Sequence, residues 1–76
     1  MTPKKAKEMI DAHFERMYKV PEIIYRTEYH ISIISEDLRL DIYPKSQKYH
    51  NVTKHIRGEF KHLDRMLEFF FPISNK

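Results

Sequence analysis

Apolar positions near the start of the chain recur with helical spacing. Ala6, Met9, Ile10, His13, Phe14, Met17 and Tyr18 follow the i, i+3, i+4, i+7 rhythm of one buried helix face. Lys4, Lys5, Lys7, Glu8, Asp11, Glu15 and Arg16 fill the opposite face. Thr2 is placed to cap this helix, and Pro3 suits its first position, where a missing N–H costs nothing. Pro21 ends the helix just beyond Lys19 and Val20.

The period then changes to two. Across residues 23–34, Ile23, Tyr25, Thr27, Tyr29, Ile31 and Ile33 fall on one side of a strand and are assigned to the core. Ile24, Arg26, Glu28, His30, Ser32 and Ile34 fall on the other side, mostly toward water. Ser35, Glu36 and Asp37 make a short polar break. Leu38, Leu40 and Ile42 then alternate with Arg39, Asp41 and Tyr43, which predicts a second strand joined by a tight hairpin. Residues 44–47 form a second turn opened by Pro44, and residues 48–52 a short third strand.

Helical spacing returns with Phe60, Leu63, Met66, Leu67, Phe70 and Phe71, and Pro72 closes the stripe. Its start has two readings. With Thr53 as the N-cap, Ile56 joins the stripe and Gly58 sits inside the helix at a cost of about 1 kcal/mol. With Gly58 in a preceding turn, the helix begins near Glu59. Ser74, Asn75 and Lys76 read as a frayed tail. The expectation is an α+β fold of order α-β-β-β-α, a three-stranded antiparallel meander with two helices packed on one face, forming a single domain over residues 1–76.

Composition narrows the function classes. A chain of 76 residues holds one core, and five Tyr and five Phe supply large buried areas to fill it. The absence of Cys removes a disulfide framework and a thiolate zinc site, and it fits a reducing compartment. A cytoplasmic location, in a host cell, is therefore expected. No apolar run reaches membrane-spanning length, since the longest, residues 67–73, is broken by Glu68 and Pro72, so no membrane partner is expected. The basic opening of the chain is followed by no apolar signal region.

Candidate chemistry is sparse. One Gly and no Cys exclude a glycine-rich phosphate loop and a Cys nucleophile, and no Ser-His-Asp set can be assembled. Asp41 lies on a strand, but no Asp/Glu-x-Lys triplet follows on the next one to complete a nuclease metal set. His50, His55 and His62 match no zinc spacing. No enzyme activity, cofactor or metal site is expected. The net charge of +3 is concentrated in residues 45–61, where Glu59 is the lone acid. Lys45, Lys48, Lys54, Arg57 and Lys61 are candidates for phosphate contacts, with Tyr49 and His50 adding stacking or hydrogen bonds. The competing reading is a solvated surface whose Lys residues keep a sheet edge from aggregating. Phe69, Phe71 and Ile73 exceed what one helix face needs and are candidates for a protein interface or a homodimer contact.

Two resemblances accompany these readings. The order α-β-β-β-α resembles that of double-stranded-RNA-binding domains, and Val20-Pro21-Glu22-Ile23-Ile24-Tyr25 resembles the opening of their first strand. That likeness implies RNA contacts from the first helix, the first hairpin and the start of the last helix. Here the hairpin Ser35-Glu36-Asp37 lacks the family's Gly-Pro-x-His loop. The family's Lys-Lys-x-x-x-Lys run is also lacking, with only Lys54, Arg57 and Lys61 as partial substitutes. Asp41-Ile42-Tyr43-Pro44-Lys45-Ser46-Gln47-Lys48-Tyr49-His50-Asn51, followed by Arg57-Gly58, resembles a segment of small uncharacterised phage and mobile-element proteins. Small phage proteins of this type include inhibitors of host defence systems, which makes a host protein the alternative partner to nucleic acid.

Overall fold

The computed structural model describes residues 2–73; the tail expected to fray, residues 74–76, lies outside them. Helix α1 spans Pro3–Glu15. The Thr2 hydroxyl accepts the Lys5 amide at 3.2 Å and Pro3 occupies the first turn, so the helix starts where the sequence signals it. Ala6, Ile10, His13 and Phe14 are buried. The helix ends sooner than Pro21 requires. The amides of Arg16 and Met17 close back on the carbonyls of His13 and Phe14, Met17 packs only partly on the core, and Tyr18 is fully exposed.

Five strands follow where three were expected: β1 (Glu22–Thr27), β2 (His30–Ile34), β3 (Arg39–Tyr43), β4 (Lys48–Asn51) and β5 (Ile56–Glu59), ahead of helix α2 (Leu63–Phe70). They form one antiparallel sheet in the order β1-β2-β3-β4-β5, so the fold is α+β with a five-stranded meander. Two corrections to the expected three strands account for the difference. The single strand expected over residues 23–34 is folded in two by a turn at Glu28 and Tyr29. That turn contains no Gly, Pro or Asn and no positive φ. The Thr27 hydroxyl holds it by accepting the Tyr29 amide at 3.1 Å, and the register shifts between Tyr25 and Thr27. Ile23 and Tyr25 pair with Ile33 and Ile31, so they stay on the core face, whereas Thr27 and Tyr29 are exposed.

The second correction concerns residues 56–59, assigned by the sequence to the last helix or its approach. They are β5, paired to β4 with Gly58 opposite Tyr49. Residues 52–55 make the turn between them. Asn51 Oδ1 accepts the Lys54 amide, and His55 takes a φ of 57°. Thr53 caps no helix; its hydroxyl accepts the Arg39 amide at 2.9 Å and ties this turn to β3. Helix α2 therefore starts at Leu63, after His62, whose side chain makes no capping bond.

The core lies on one face of the sheet. Ile31 pairs with Ile42 and Ile33 with Leu40 at its centre. Ala6, Ile10 and Phe14 of α1, Leu63, Met66 and Leu67 of α2, and the flanking Phe60 and Phe71 complete one buried cluster. Burying each large apolar side chain contributes about 1.5–3 kcal/mol. The helices also touch each other. The His13 ring donates through Nε2 to the Phe71 carbonyl at 2.8 Å, and Phe14 meets Phe71 edge-on at 5.3 Å. Helical cover stops short of the β5 edge, where Ile56 is half exposed.

Tyr49 closes part of that gap. Its ring lies across Gly58, so a Cβ at position 58 would run into it, and Phe70 meets its edge at 5.1 Å. On the other flank, Tyr25 donates to Asp11 Oδ1 at 2.7 Å and its ring lies 5.3 Å from Lys7 Nζ, fastening β1 to α1. Partial burial first, then the bond to Asp11 and its charge, push the Tyr25 phenol above its ordinary pKa.

Two predictions follow from these contacts. Gly58→Ala is expected to displace Tyr49 and to lower stability by about 1–3 kcal/mol, measured by urea unfolding. Because folding raises the Tyr25 pKa, the folded chain keeps a proton that the unfolded chain releases above about pH 10. Stability from this group is therefore present below that pH and lost above it. Urea midpoints followed into the alkaline range are expected to fall less steeply for Tyr25→Phe than for the native chain; equal slopes would contradict the assignment.

Candidate functional site

Strand residues alternate in direction, so the side chains that do not enter the core gather on the opposite, helix-free face. The registers place them in rows. Ile24 lies beside Ser32, Ser32 beside Asp41, Asp41 beside His50, and His50 beside Arg57. Ile34 pairs with Arg39 on one side of this row. On the other side Tyr43 pairs with Lys48 and Lys48 with Glu59. The His30 ring stacks on Tyr43 at 4.7 Å with 21° between planes.

A polar chain runs through the centre. Arg26 Nε donates to Ser32 Oγ at 2.7 Å, and Ser32 Oγ donates to Asp41 Oδ1 at 2.7 Å. The same carboxylate oxygen has His30 Nε2 at 3.7 Å and Arg39 Nε at 3.8 Å. Ser32 is 0% and Asp41 6% exposed. His30 Nε2 and Arg39 Nε are buried atoms without hydrogen-bond partners, so Arg39 acts on Asp41 through charge rather than through a formed bond. Ser32 is unsuited to nucleophilic attack. Its hydroxyl is directed at Asp41 and is covered from solvent.

The residues singled out in the sequence divide among three places. Lys48, His50 and Arg57 stand together on the helix-free face. Tyr49 lies on the opposite face, over Gly58 and against Phe70, because it occupies the alternate strand position. Lys45, Lys54 and Lys61 are exposed in connections. Lys45 sits in the turn of residues 44–47, its Nζ 5.1 Å from the Tyr29 ring. Lys61 follows Phe60, whose amide bonds the Gln47 carbonyl and brings that connection beside the same turn. Lys54 is in the turn of residues 52–55, at the other end of the strands.

The apolar candidates also separate. Phe69 is 79% exposed, Ile73 is half-buried, and Phe71 is a core residue at 6% exposure, enclosed by Phe14 and the His13 contact. Sequence reasoning passed over Arg26, His30, Arg39 and Tyr43. Alternation had already turned Arg26 and His30 outward, and the strand registers put them with Arg39 and Tyr43 on the same face as Lys48, His50 and Arg57.

The face is cationic at its surface. Arg26, Arg39, Lys48 and Arg57 project from it with His30 and His50, whereas its central acid, Asp41, is buried among them. Glu22 and Glu59 share this face from the two edge strands, Glu22 opposite Ile34 and Glu59 opposite Lys48, and the acids of α1 are on the far side of the sheet. Lys48 and Arg57 form no ion pair among the described residues. No group of three or more His, Asp or Glu is gathered for a metal among those residues, and no helix there is long and apolar enough to cross a membrane. No family model, curated protein or solved structure matches the chain.

Asp41→Ala is expected to leave Ser32, His30 and Arg39 without their common partner and to lower stability by about 2 kcal/mol. Thermal or urea unfolding measures it. A loss below about 0.5 kcal/mol, the range of ordinary surface substitutions, would show that the central carboxylate is dispensable to the fold.

Proposed function

We propose that this protein is a non-enzymatic module that binds nucleic acid through the helix-free face of its sheet. The observation that carries the reading is that Arg26, Arg39, Lys48 and Arg57 share one face of the sheet whose central acid, Asp41, is buried beside Arg39. Guanidinium and ammonium groups on a rigid sheet suit a line of phosphates, and they outnumber the two exposed acids of the same face, Glu22 and Glu59, which stand on its edge strands. The sheet holds their spacing, and Lys45 and Lys61 beside one end of the strands extend the contact. Ser32, its hydroxyl directed at Asp41 and covered from solvent, is not presented as a nucleophile, which favours binding over catalysis. The likeness of residues 41–51 to a segment of phage and mobile-element proteins is compatible with a small nucleic-acid-associated factor.

A second reading, contact with a host protein or a second copy, draws on one observation. Phe69 is 79% exposed beside a recess lined by Tyr49, Phe60, Met66 and Phe70. A single aromatic ring there offers a small apolar anchor, of the kind an inhibitor of a host enzyme would use.

Fluorescence anisotropy against labelled DNA and RNA at two salt concentrations tests the first reading. Binding is expected to weaken steeply with salt. Arg57→Gln and Lys48→Gln are each expected to weaken it for every sequence and to lower the log–log salt slope by about one. Absence of binding at low salt, or binding indifferent to salt, would overturn the proposal. Loss of self-association or of host-protein capture on Phe69→Ser would instead favour the second reading.

A further inference from the structure

Between β3, β4 and β5 lies a recess of about 210 Å³, lined by Tyr43, Lys48, His50 and Arg57 of the helix-free face together with Ser46, Tyr49 and Gly58. Tyr43 and Tyr49 are its aromatic residues, and of the two Tyr49 is already taken up by Gly58 and Phe70. His30 stacks on Tyr43 from the β2 side, and the recess opens on the side of β4 and β5. The ring is thus braced on one side before any ligand arrives. The recess is smaller than the roughly 300–1,000 Å³ typical of sites for drug-sized ligands or cofactors. It suits one planar ring.

We infer that this recess takes a single unstacked nucleobase against Tyr43, which makes the ligand single-stranded nucleic acid rather than duplex. The inference rests on the nucleic-acid reading above and adds its substrate class. A base in a duplex keeps both its faces against neighbouring pairs and cannot enter a recess; a single strand offers its bases freely. Lys48 and Arg57 are exposed, border the recess and form no ion pair among the described residues, so they are free to meet the phosphates on either side of the inserted base. His50, half-buried between Asp41 and Arg57, adds a ring nitrogen for the base edge. Stacking on a ring tolerates any base, so the selectivity expected is for strandedness more than for sequence.

Anisotropy titrations with one oligonucleotide sequence, as single-stranded RNA, single-stranded DNA and duplex, test this at fixed salt. The single strands are expected to bind at least roughly tenfold more tightly than the duplex. Tyr43→Leu is expected to remove roughly tenfold of that affinity while leaving the salt slope unchanged, and Tyr43→Phe to retain it. A measurement on the native chain guards against a variant that misfolds. In heteronuclear NMR, a single-stranded tetranucleotide is expected to shift the signals of Tyr43, Lys48, His50 and Arg57 together. Equal affinity for strand and duplex, or a tetranucleotide that leaves Tyr43 unmoved, overturns the inference and leaves salt-dependent binding standing. Failure to bind any of the three nucleic acids at low salt overturns both.

Discussion

A carboxylate with 6% of its surface exposed has to be compensated where it lies, because an unpaired buried charge costs several kcal/mol. Asp41 meets that demand through the Ser32 hydroxyl and the nearby charge of Arg39, with the His30 ring beside it. Arg26 in turn holds Ser32. The outer face of the central strands is organised around this one group. Arg39 and, through Ser32, Arg26 are tied to Asp41 in this way, whereas Lys48 and Arg57 stand on the same face without a contact to it.

The opposite face shows why such a polar layer is tolerated. Ile31, Ile33, Leu40 and Ile42 project from the same two strands into the helix-covered core. The hydrophobic stabilisation of the sheet is gathered on that side, so the other side is free to carry polar groups that contribute little net stability. The helices reinforce one another through the His13–Phe71 bond as well as through the sheet. At the thinly covered β5 edge, the Tyr49 ring over Gly58 takes the place of helical cover. Tyr49 is thereby committed to holding the platform together.

How much of this was legible varies with the kind of signal. The start of α1 was readable because Thr2 and Pro3 are local capping chemistry, and the inward set of β2 and β3 was readable because alternation is local too. The turn at Glu28 and Tyr29 was hidden. It uses a threonine side chain and a register shift instead of glycine or proline. A twelve-residue strand is nonetheless about twice the usual length, and that excess was the available warning. Residues 56–59 were misread because Ile56 and Phe60 fit a helical stripe as well as a strand. Pairing with β4 decided the matter, and short apolar patterns contain no record of pairing. Of the candidate site, Lys48, His50 and Arg57 were found by composition, whereas Arg26, His30, Arg39 and Tyr43 lay elsewhere in the chain and were missed.

The sequence by itself determined the fold class, the capped first helix, the inward residues of the central strands and the want of disulfide or thiolate chemistry. These follow from local periodicity and residue type. Only the tertiary structure decided which outward side chains stand next to one another, that Asp41 is buried beside Ser32, His30 and Arg39, and that Tyr43 borders a recess beside Arg57. Those neighbours are joined across strands, and cross-strand register depends on every intervening turn and bulge. A shift of one residue at Thr27 or Asn51 would put different side chains side by side.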